Sequence, residues 1–473
     1  MENKKWGLWI LTTFVVGNMV GGGIFMLPNN MAQVASPFGS MAAWGITGLG
    51  VLFIALVFGN LSTRKPELKA GPQSYAQAMF SSPKAGRIAG YSMAWGYWAA
   101  NWAATASVII TFAGYLSTFF PIMQSSKVLF TAGSFSLELG KFINFMVCTV
   151  MLWGIQAILS KSFNDGGKLN FIATAAKIIG FALFIVMTLF IFDAANIGNG
   201  KEFIDKAGKS VLFGSQINSA AILTLWAFIG IESAVMLSNR AKSQRDVKMA
   251  TIIGLIISLV IYIGITLLTM GALPVEALKT SQKPLVDALG QVVGSGGGKI
   301  MALLALVSLF GSTVGWIVVS SEVPYQAAKD QLFPAFFAKT NRKGSPINSL
   351  TLTNIMTQIF LFSTISGTIS EAYNFVIVVA TLAYLIPYLV SALYQLKLVL
   401  TGETYDTIKG SRVRDGVITV LALVYSLWVI KTGTADMKTF FLGIGLFVVG
   451  LVLYPFVMKK RNVMEKVKET KAA

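Results

Sequence analysis

The sequence predicts an all-α membrane protein of twelve transmembrane helices, with the first and sixth helices broken. Three observations carry that prediction. Hydrophobic residues make up 55% of the 473-residue chain against 12% charged, and mean hydropathy is +0.68, a balance that makes lipid the solvent for most of the molecule. Apolar stretches of roughly 20 residues recur along the whole length, each enough to cross a hydrocarbon layer about 30 Å thick. Glycine interrupts two of them in corresponding places, the first of an opening five and the first of the next five, which is the pattern of an inverted repeat.

The expected spans are 8–28, 40–60, 88–118, 140–159, 169–192, 215–237, 248–271, 300–327, 347–365, 371–396, 416–431 and 437–458. Residues 1–200 then form one five-helix half, 201–400 the inverted second half, and 401–473 two added helices with a basic tail. The connections are short, so any chemistry must sit within the bundle or at its mouth. Span one has no small-residue cleavage site behind it and reads as a retained helix. The run from Gly294 to Lys299, GSGGGK, superficially resembles a phosphate-binding loop. It lacks the glycine spacing and has Ile300 where Ser or Thr belongs, so it reads as an external loop.

A net charge of +18 raises nucleic acid as a partner, and the distribution of Lys and Arg decides against it. With an even number of spans and a cytoplasmic N-terminus, most of them fall in cytoplasmic segments, among them Lys4, Lys5, Arg64, Lys65, Arg240, Arg245, Arg342, Lys343, Arg412, Arg414 and the tail from Lys459 to Lys471. That is the positive-inside bias of a multi-pass protein with both termini in the cytoplasm. Cys148 is the sole cysteine and histidine is absent. No disulfide, metal cluster or cofactor is expected. Proton coupling near neutral pH would have to use carboxylates or a lysine.

The first break reads Gly17, Asn18, Met19, Val20, Gly21, Gly22, Gly23, with Pro28 following. Three consecutive glycines weaken a helix by about 1 kcal/mol each relative to Ala. Unwound backbone at membrane depth is tolerated only where it is buried in protein or lines a wet cavity. The second break is at Gly230, between Trp226 and Glu232. A broken span exposes N–H groups at one half-helix end, suited to a carboxylate, and carbonyls at the other, suited to an ammonium group or a cation. One site then fits both ends of an α-amino acid: carboxylate on the backbone of Gly22 and Gly23, ammonium on carbonyls near Met19, Trp226 and Ile229.

Away from the two residues at either end of each expected span, three Asp, Glu, Lys or Arg residues fall inside the spans: Lys177, Glu232 and Glu322. Intramembrane charges are functional candidates by default. Glu232 follows the second break directly, placed to meet a cationic solute or to gate by protonation; the plainer alternative is a carboxylate that satisfies freed backbone N–H groups. Lys177 lies deep in span five, where it could carry a proton or take the place of a bound sodium ion. Glu322 is near a cytoplasmic helix end, where capping or pairing with Lys329 or Arg342 is expected. Trp226 sits at the second break and Trp316 in a Gly/Ser-rich stretch, Gly311 to Gly315, so both rings are positioned to close over a solute or stack on a cation.

The runs GNMVGGGIFMLP from Gly17, LWAFIGIES from Leu225 and KDQLFPAFF from Lys329 resemble the amino acid, polyamine and organocation superfamily of transporters. RKPELKAG from Arg64 and AGYLSTFFP from Ala113 resemble its bacterial basic amino acid and polyamine antiporters, of the arginine/ornithine and arginine/agmatine type. The resemblance implies two inverted five-helix halves plus two helices, working by alternating access. It implies that Met19, Gly22, Gly23, Trp226 and Ile229 hold the substrate backbone, with Gly21 and Ala100 beside them, that Trp316 is a middle gate, and that Glu232 is the carboxylate of pH-dependent gating. The guanidinium partners of the arginine/agmatine exchangers match Thr105 and Val378 here, a departure from their asparagine and serine. Asn101, one helical turn before Thr105, shares its face. Lys177 matches the span-five lysine of proton-coupled amino acid transporters and of related exchangers, which stands in the place of a sodium site, so sodium dependence is not expected.

The leading expectation is an exchanger of a basic amino acid for a related amino acid or amine in the cytoplasmic membrane of a bacterium. Proton-driven uptake of neutral or broad-range amino acids is the alternative, favoured by Lys177 and Val378. The expected partners are that solute and the lipid bilayer, with a homodimer left open. A sensor would favour a long signalling tail, a channel a ring of like charges or a carbonyl filter, and an enzyme an assembled nucleophile and base; none of these stands out in the sequence.

Overall fold

The computed structural model describes residues 5–455 apart from 70, 134, 199–200, 206–207, 282, 367–368, 409, 434–440, 442–443 and 446, with the backbone alone at 135, 295, 366, 369–382 and 433. The chain runs α1 (Leu8–Met19), α2 (Leu27–Ala32), α3 (Pro37–Arg64), α4 (Pro72–Met79), α5 (Pro83–Leu116), a β-hairpin of β1 (Val128–Ala132) and β2 (Phe135–Glu138), α6 (Leu139–Lys161) and α7 (Phe163–Leu189). Then follow α8 (Phe213–Phe228), α9 (Ser233–Met236), α10 (Gln244–Ala272), α11 (Val275–Thr280), α12 (Pro284–Val293), α13 (Ser295–Lys329), α14 (Ile347–Leu361), α15 (Ser363–Ser366), α16 (Ile369–Thr401) and α17 (Arg412–Gly433).

Local chemistry fixes several starts. Ser36 caps α3 by accepting from Gly39 N–H at 3.1 Å with Pro37 as first residue, and Ser243 caps α10 by accepting from Asp246 N–H at 3.1 Å; both satisfy amides the helix cannot.

Nine described helices are long and apolar enough to cross a membrane. Twelve spans were expected, and three account for the difference. The first is split into α1 and α2, each shorter than a crossing. The ninth is divided near Phe362 into α14 and α15. The twelfth is described only in part, with residues 447–455 helical, and the basic tail lies outside the described residues. Two further readings are corrected. The GSGGGK run is not a loop: Gly294, at φ +72°, turns the chain out of α12 and the next residues form the first turns of α13. The hairpin, antiparallel with Val128 opposite Glu138, interrupts the helical pattern where Val, Leu, Phe and Thr favour strand.

The bundle is built around α5, whose apolar window is 83% buried, whereas that of α6 is only 28% buried and faces outward. α5 packs against α13 and α16, and α1 against α10 and α7. The C-terminal helices are keyed in by rings lying over glycines: a Cβ on Gly50 of α3 would fall 2.1 Å from the Tyr425 ring, and one on Gly96 of α5 would fall 2.1 Å from Phe447.

Arg64 at the end of α3 is 4% exposed and donates to Asp415 of α17, 1% exposed, from Nε at 3.1 Å and from Nη2 at 2.8 Å. The guanidinium lies 3.8 Å from the centre of the Tyr405 ring. Removing one partner of a buried pair strands the other charge, at about 3–5 kcal/mol, while replacing both with apolar residues is often neutral. Arg64→Met is therefore expected to lower thermal stability in detergent sharply, and Arg64→Met with Asp415→Leu to recover most of the loss; equal melting of the single and double variants would refute this.

Candidate solute site at two broken helices

α1 ends because Val20 (φ −78°, ψ 61°) leaves the helical region and Gly21 (φ −94°, ψ −146°) redirects the chain into a 3-10 turn, Gly22–Phe25. Carbonyls at the end of a helix lack intrahelical partners. Here a side chain from each of two neighbours supplies them. The Lys177 ammonium, on α7, donates to the Gly17 carbonyl at 3.0 Å and the Val20 carbonyl at 2.6 Å. Ser312 of α13 accepts from Lys177 at 2.6 Å and donates to the Gly17 carbonyl at 2.7 Å. The Trp316 indole N–H donates to the Asn18 carbonyl at 3.2 Å.

α8 stops at Phe228, and Ile229 is extended (φ −61°, ψ 129°) before Gly230 at φ +111°. A side chain at Gly230 would be strained by that φ and would meet Asn18 Cβ and Met19 N at 3.0 Å, so the two breaks touch. The Asn18 amide joins them again, donating to Ser233 Oγ at 2.9 Å. Glu232, fully buried, accepts from the Tyr97 hydroxyl at 2.5 Å, the Tyr388 hydroxyl at 2.6 Å and the Gly230 N–H at 3.2 Å. One carboxylate thus ties α5, α16 and the second break together.

Between the breaks lies a cavity of about 30 Å³ lined by Met19, Gly21, Gly22, Gly23, Trp226, Ile229 and Trp316, all expected from the sequence. Its remaining walls include Asn18, Ala104, Ser107 and Val108. As first residues of a helical turn, Gly22 and Gly23 have N–H groups with no acceptor inside it. The volume suits one or two waters, so the site is contracted. Trp226 is half-buried at its edge, and its ring meets Tyr384 at 6.4 Å, as Trp316 does at 6.1 Å.

Ala100, Asn101, Thr105 and Glu232 are not on that wall; they are buried behind it. The Asn101 amide donates to the Tyr97 carbonyl at 2.6 Å and its Oδ1 has no partner among the described residues. Thr105 donates to the Asn101 carbonyl at 2.8 Å and lies 3.3 Å from Ser320 Oγ. Val378 is on α16, with its side chain outside the described residues. Glu322 pairs with Arg240 at 2.8 Å, not with Lys329 or Arg342 as expected, because the end of α9 brings Arg240 to a carboxylate that is fully buried. Tyr97, Tyr384, Tyr388 and Ser312 were not singled out from sequence. A usable signal existed for the tyrosines: Tyr97 lies four residues before Asn101 and Tyr384 four before Tyr388, each pair on one helical face.

Residues 7–464 match the family model described as amino acid permease. The chain belongs to the amino acid permease family. The permease is 59% identical over 460 residues, 97% of this chain and 98% of the relative, to a Bacillus subtilis protein named "Putative arginine/ornithine antiporter". It is 35% identical over 463 residues to the arginine/ornithine antiporter of Pseudomonas aeruginosa, covering 96% of this chain and 91% of that one. With the arginine/ornithine antiporter ArcD1 of Lactococcus lactis it shares 32% over 474 residues, 96% and 84% of the two chains. The permease is a multi-pass membrane transporter, and these relatives are bacterial.

Trp226→Leu is expected to weaken solute binding by the permease about tenfold or more, since a desolvated cation–ring contact contributes about 2 kcal/mol, with unchanged folding; unchanged affinity in a binding titration would place the site elsewhere. Gly230→Ala is expected to lower stability by about 1–3 kcal/mol through backbone strain and to abolish transport, checked by melting and uptake of the same preparation.

Proposed function

We propose that the permease exchanges a basic amino acid for a related amino acid or amine across the cytoplasmic membrane by alternating access. The observation that carries this is the meeting of two broken helices at one small cavity, with free N–H groups on one side and carbonyls on the other. The solute carboxylate takes the N–H groups of Gly22 and Gly23, and its ammonium the carbonyls near Met19, Trp226 and Ile229. The cationic side chain runs between the Trp226 and Trp316 rings toward Asn101, Thr105, Glu232 and Val378. The relatives' names support exchange and a basic cargo.

Admission of a solute into so small a space requires Trp226 to swing aside. Trp316, bonded to the Asn18 carbonyl, links occupancy of the cavity to the end of α1. The Glu232 bonds to Tyr97 and Tyr388 must be exchanged when α8 and α9 move against α5 and α16, which makes Glu232 the gate. This reading takes the chain as twelve spans, with 1–200 and 201–400 as inverted halves, 401–473 as an addition, and both termini cytoplasmic.

Lys177 supports a second reading, proton-coupled uptake of neutral or broad-range amino acids, because its ammonium divides three N–H donors among Gly17, Val20 and Ser312, and loss of a proton would leave one of these bonds unmade. Proteoliposomes separate the two. Under exchange, labelled arginine enters vesicles loaded with ornithine at least tenfold faster than empty ones; uptake that needs no internal amino acid and collapses with the proton gradient would overturn exchange. Lys177→Ala is expected to alter coupling and its pH dependence, since the Val20 carbonyl loses its short donor, at about 1–3 kcal/mol, while Ser312 keeps the Gly17 carbonyl; transport with a normal pH profile would reduce Lys177 to a structural lysine.

A further inference from the structure

At the end of the bundle carrying the N-terminal segment, a second cavity of about 180 Å³ opens between Lys5, Arg240, Glu322 and Lys329, with Asn239 and Tyr325 on its wall. Its only carboxylate among the described residues is spent: Glu322 is fully buried, ion-paired to Arg240 at 2.8 Å and bonded by the Gln326 amide. Arg240 is further held by the Phe163 ring, 4.3 Å from its guanidinium carbon. Lys5 and Lys329 are exposed and make no ion pair among the described residues. The Lys329 ammonium leans on the Tyr325 ring at 4.4 Å. Neither neighbouring acid forms an ion pair with these lysines among the described residues: Asp330, next to Lys329 in the chain, accepts from the Ser74 hydroxyl at 3.1 Å, and Asp165 pairs with Lys168 at 3.2 Å. The cavity therefore keeps two ammonium groups without an ion pair among the described residues, and an amide beside a guanidinium, a donor set with room for a tetrahedral anion.

We propose that this cavity binds a phosphate group, supplied by the headgroup of an anionic phospholipid. Asn164 in the first turn of α7 and Lys329 in the last turn of α13 also line it, so it lies where two crossing helices end, at headgroup depth. Basic pockets between helix ends are suited to such groups, and charge-assisted bonds to phosphate oxygens are the stronger kind. The consequence is regulatory. Trp6, beside Lys5, donates its N–H to the Arg240 carbonyl at 2.8 Å and accepts from Lys242 N–H at 2.8 Å, sewing the N-terminal segment to the chain after α9. A phosphate held by Lys5, Arg240 and Lys329 adds a bridge from that seam to α13 and keeps this mouth of the permease shut.

The test is thermal unfolding of the full-length protein in nanodiscs, for the parent and for Lys5→Gln with Lys329→Gln, both positions being exposed and outside the solute site. Discs of phosphatidylcholine alone, the same discs with inorganic phosphate, and discs containing phosphatidylglycerol are compared. The parent is expected to melt higher in phosphatidylglycerol discs, and the double variant to lose that gain, its affinity falling about tenfold or more with two charged donors gone. A gain with inorganic phosphate alone would keep the site and identify free phosphate as the ligand. No gain with either, or the same gain in the double variant, would overturn the proposal. Melting does not depend on transport, so failed exchange in proteoliposomes would sink the exchanger reading and leave this one standing.

Discussion

Lipid offers no hydrogen bonds, so any backbone that leaves a helix at membrane depth must be satisfied from within the protein. In this permease that requirement is sharpest at Gly21–Gly23 and at Gly230, and a set of buried polar side chains answers it. Lys177 and Ser312 take the carbonyls at the end of α1. Trp316 takes the carbonyl of Asn18, and Glu232 takes the amide of Gly230. What the side chains leave unclaimed, the N–H groups of the short turn after Gly21, faces a cavity.

The same economy explains how distant helices are made to answer to one another. Glu232 has two carboxylate oxygens and shares them among α5, α16 and its own break. Asn18 spans the breaks directly, through Ser233. A change at either break therefore reaches α5, α7, α13 and α16 through bonds of ordinary length, with no need for a longer path.

Much of this was legible in the sequence because glycine and membrane depth are both strong signals. Three glycines inside an apolar run, and Gly230 ahead of a carboxylate, marked the breaks, and the cavity between them is lined by seven of the residues expected there. The partners of Lys177 and Glu232 were not legible, since Ser312, Tyr97 and Tyr388 are brought in by packing across elements far apart in sequence. Glu322 shows the same limit: local spacing suggested Lys329, and the fold brought Arg240 instead. The hairpin at Val128–Glu138 and the helical start of α13 at Gly294 were hidden by reading the segments between spans as plain connections.

The rings that lie over Gly50 and Gly96 carry one more implication. A flat ring over a bare backbone fits at one height and one rotation, so it acts as a detent between two rods. Tyr425 fixes α17 to α3, and Phe447 fixes the helical stretch 447–455 to α5. The two C-terminal segments are therefore keyed to different helices of the bundle, one to α3 and the other to α5, each by a ring that leaves no room for a side chain beneath it.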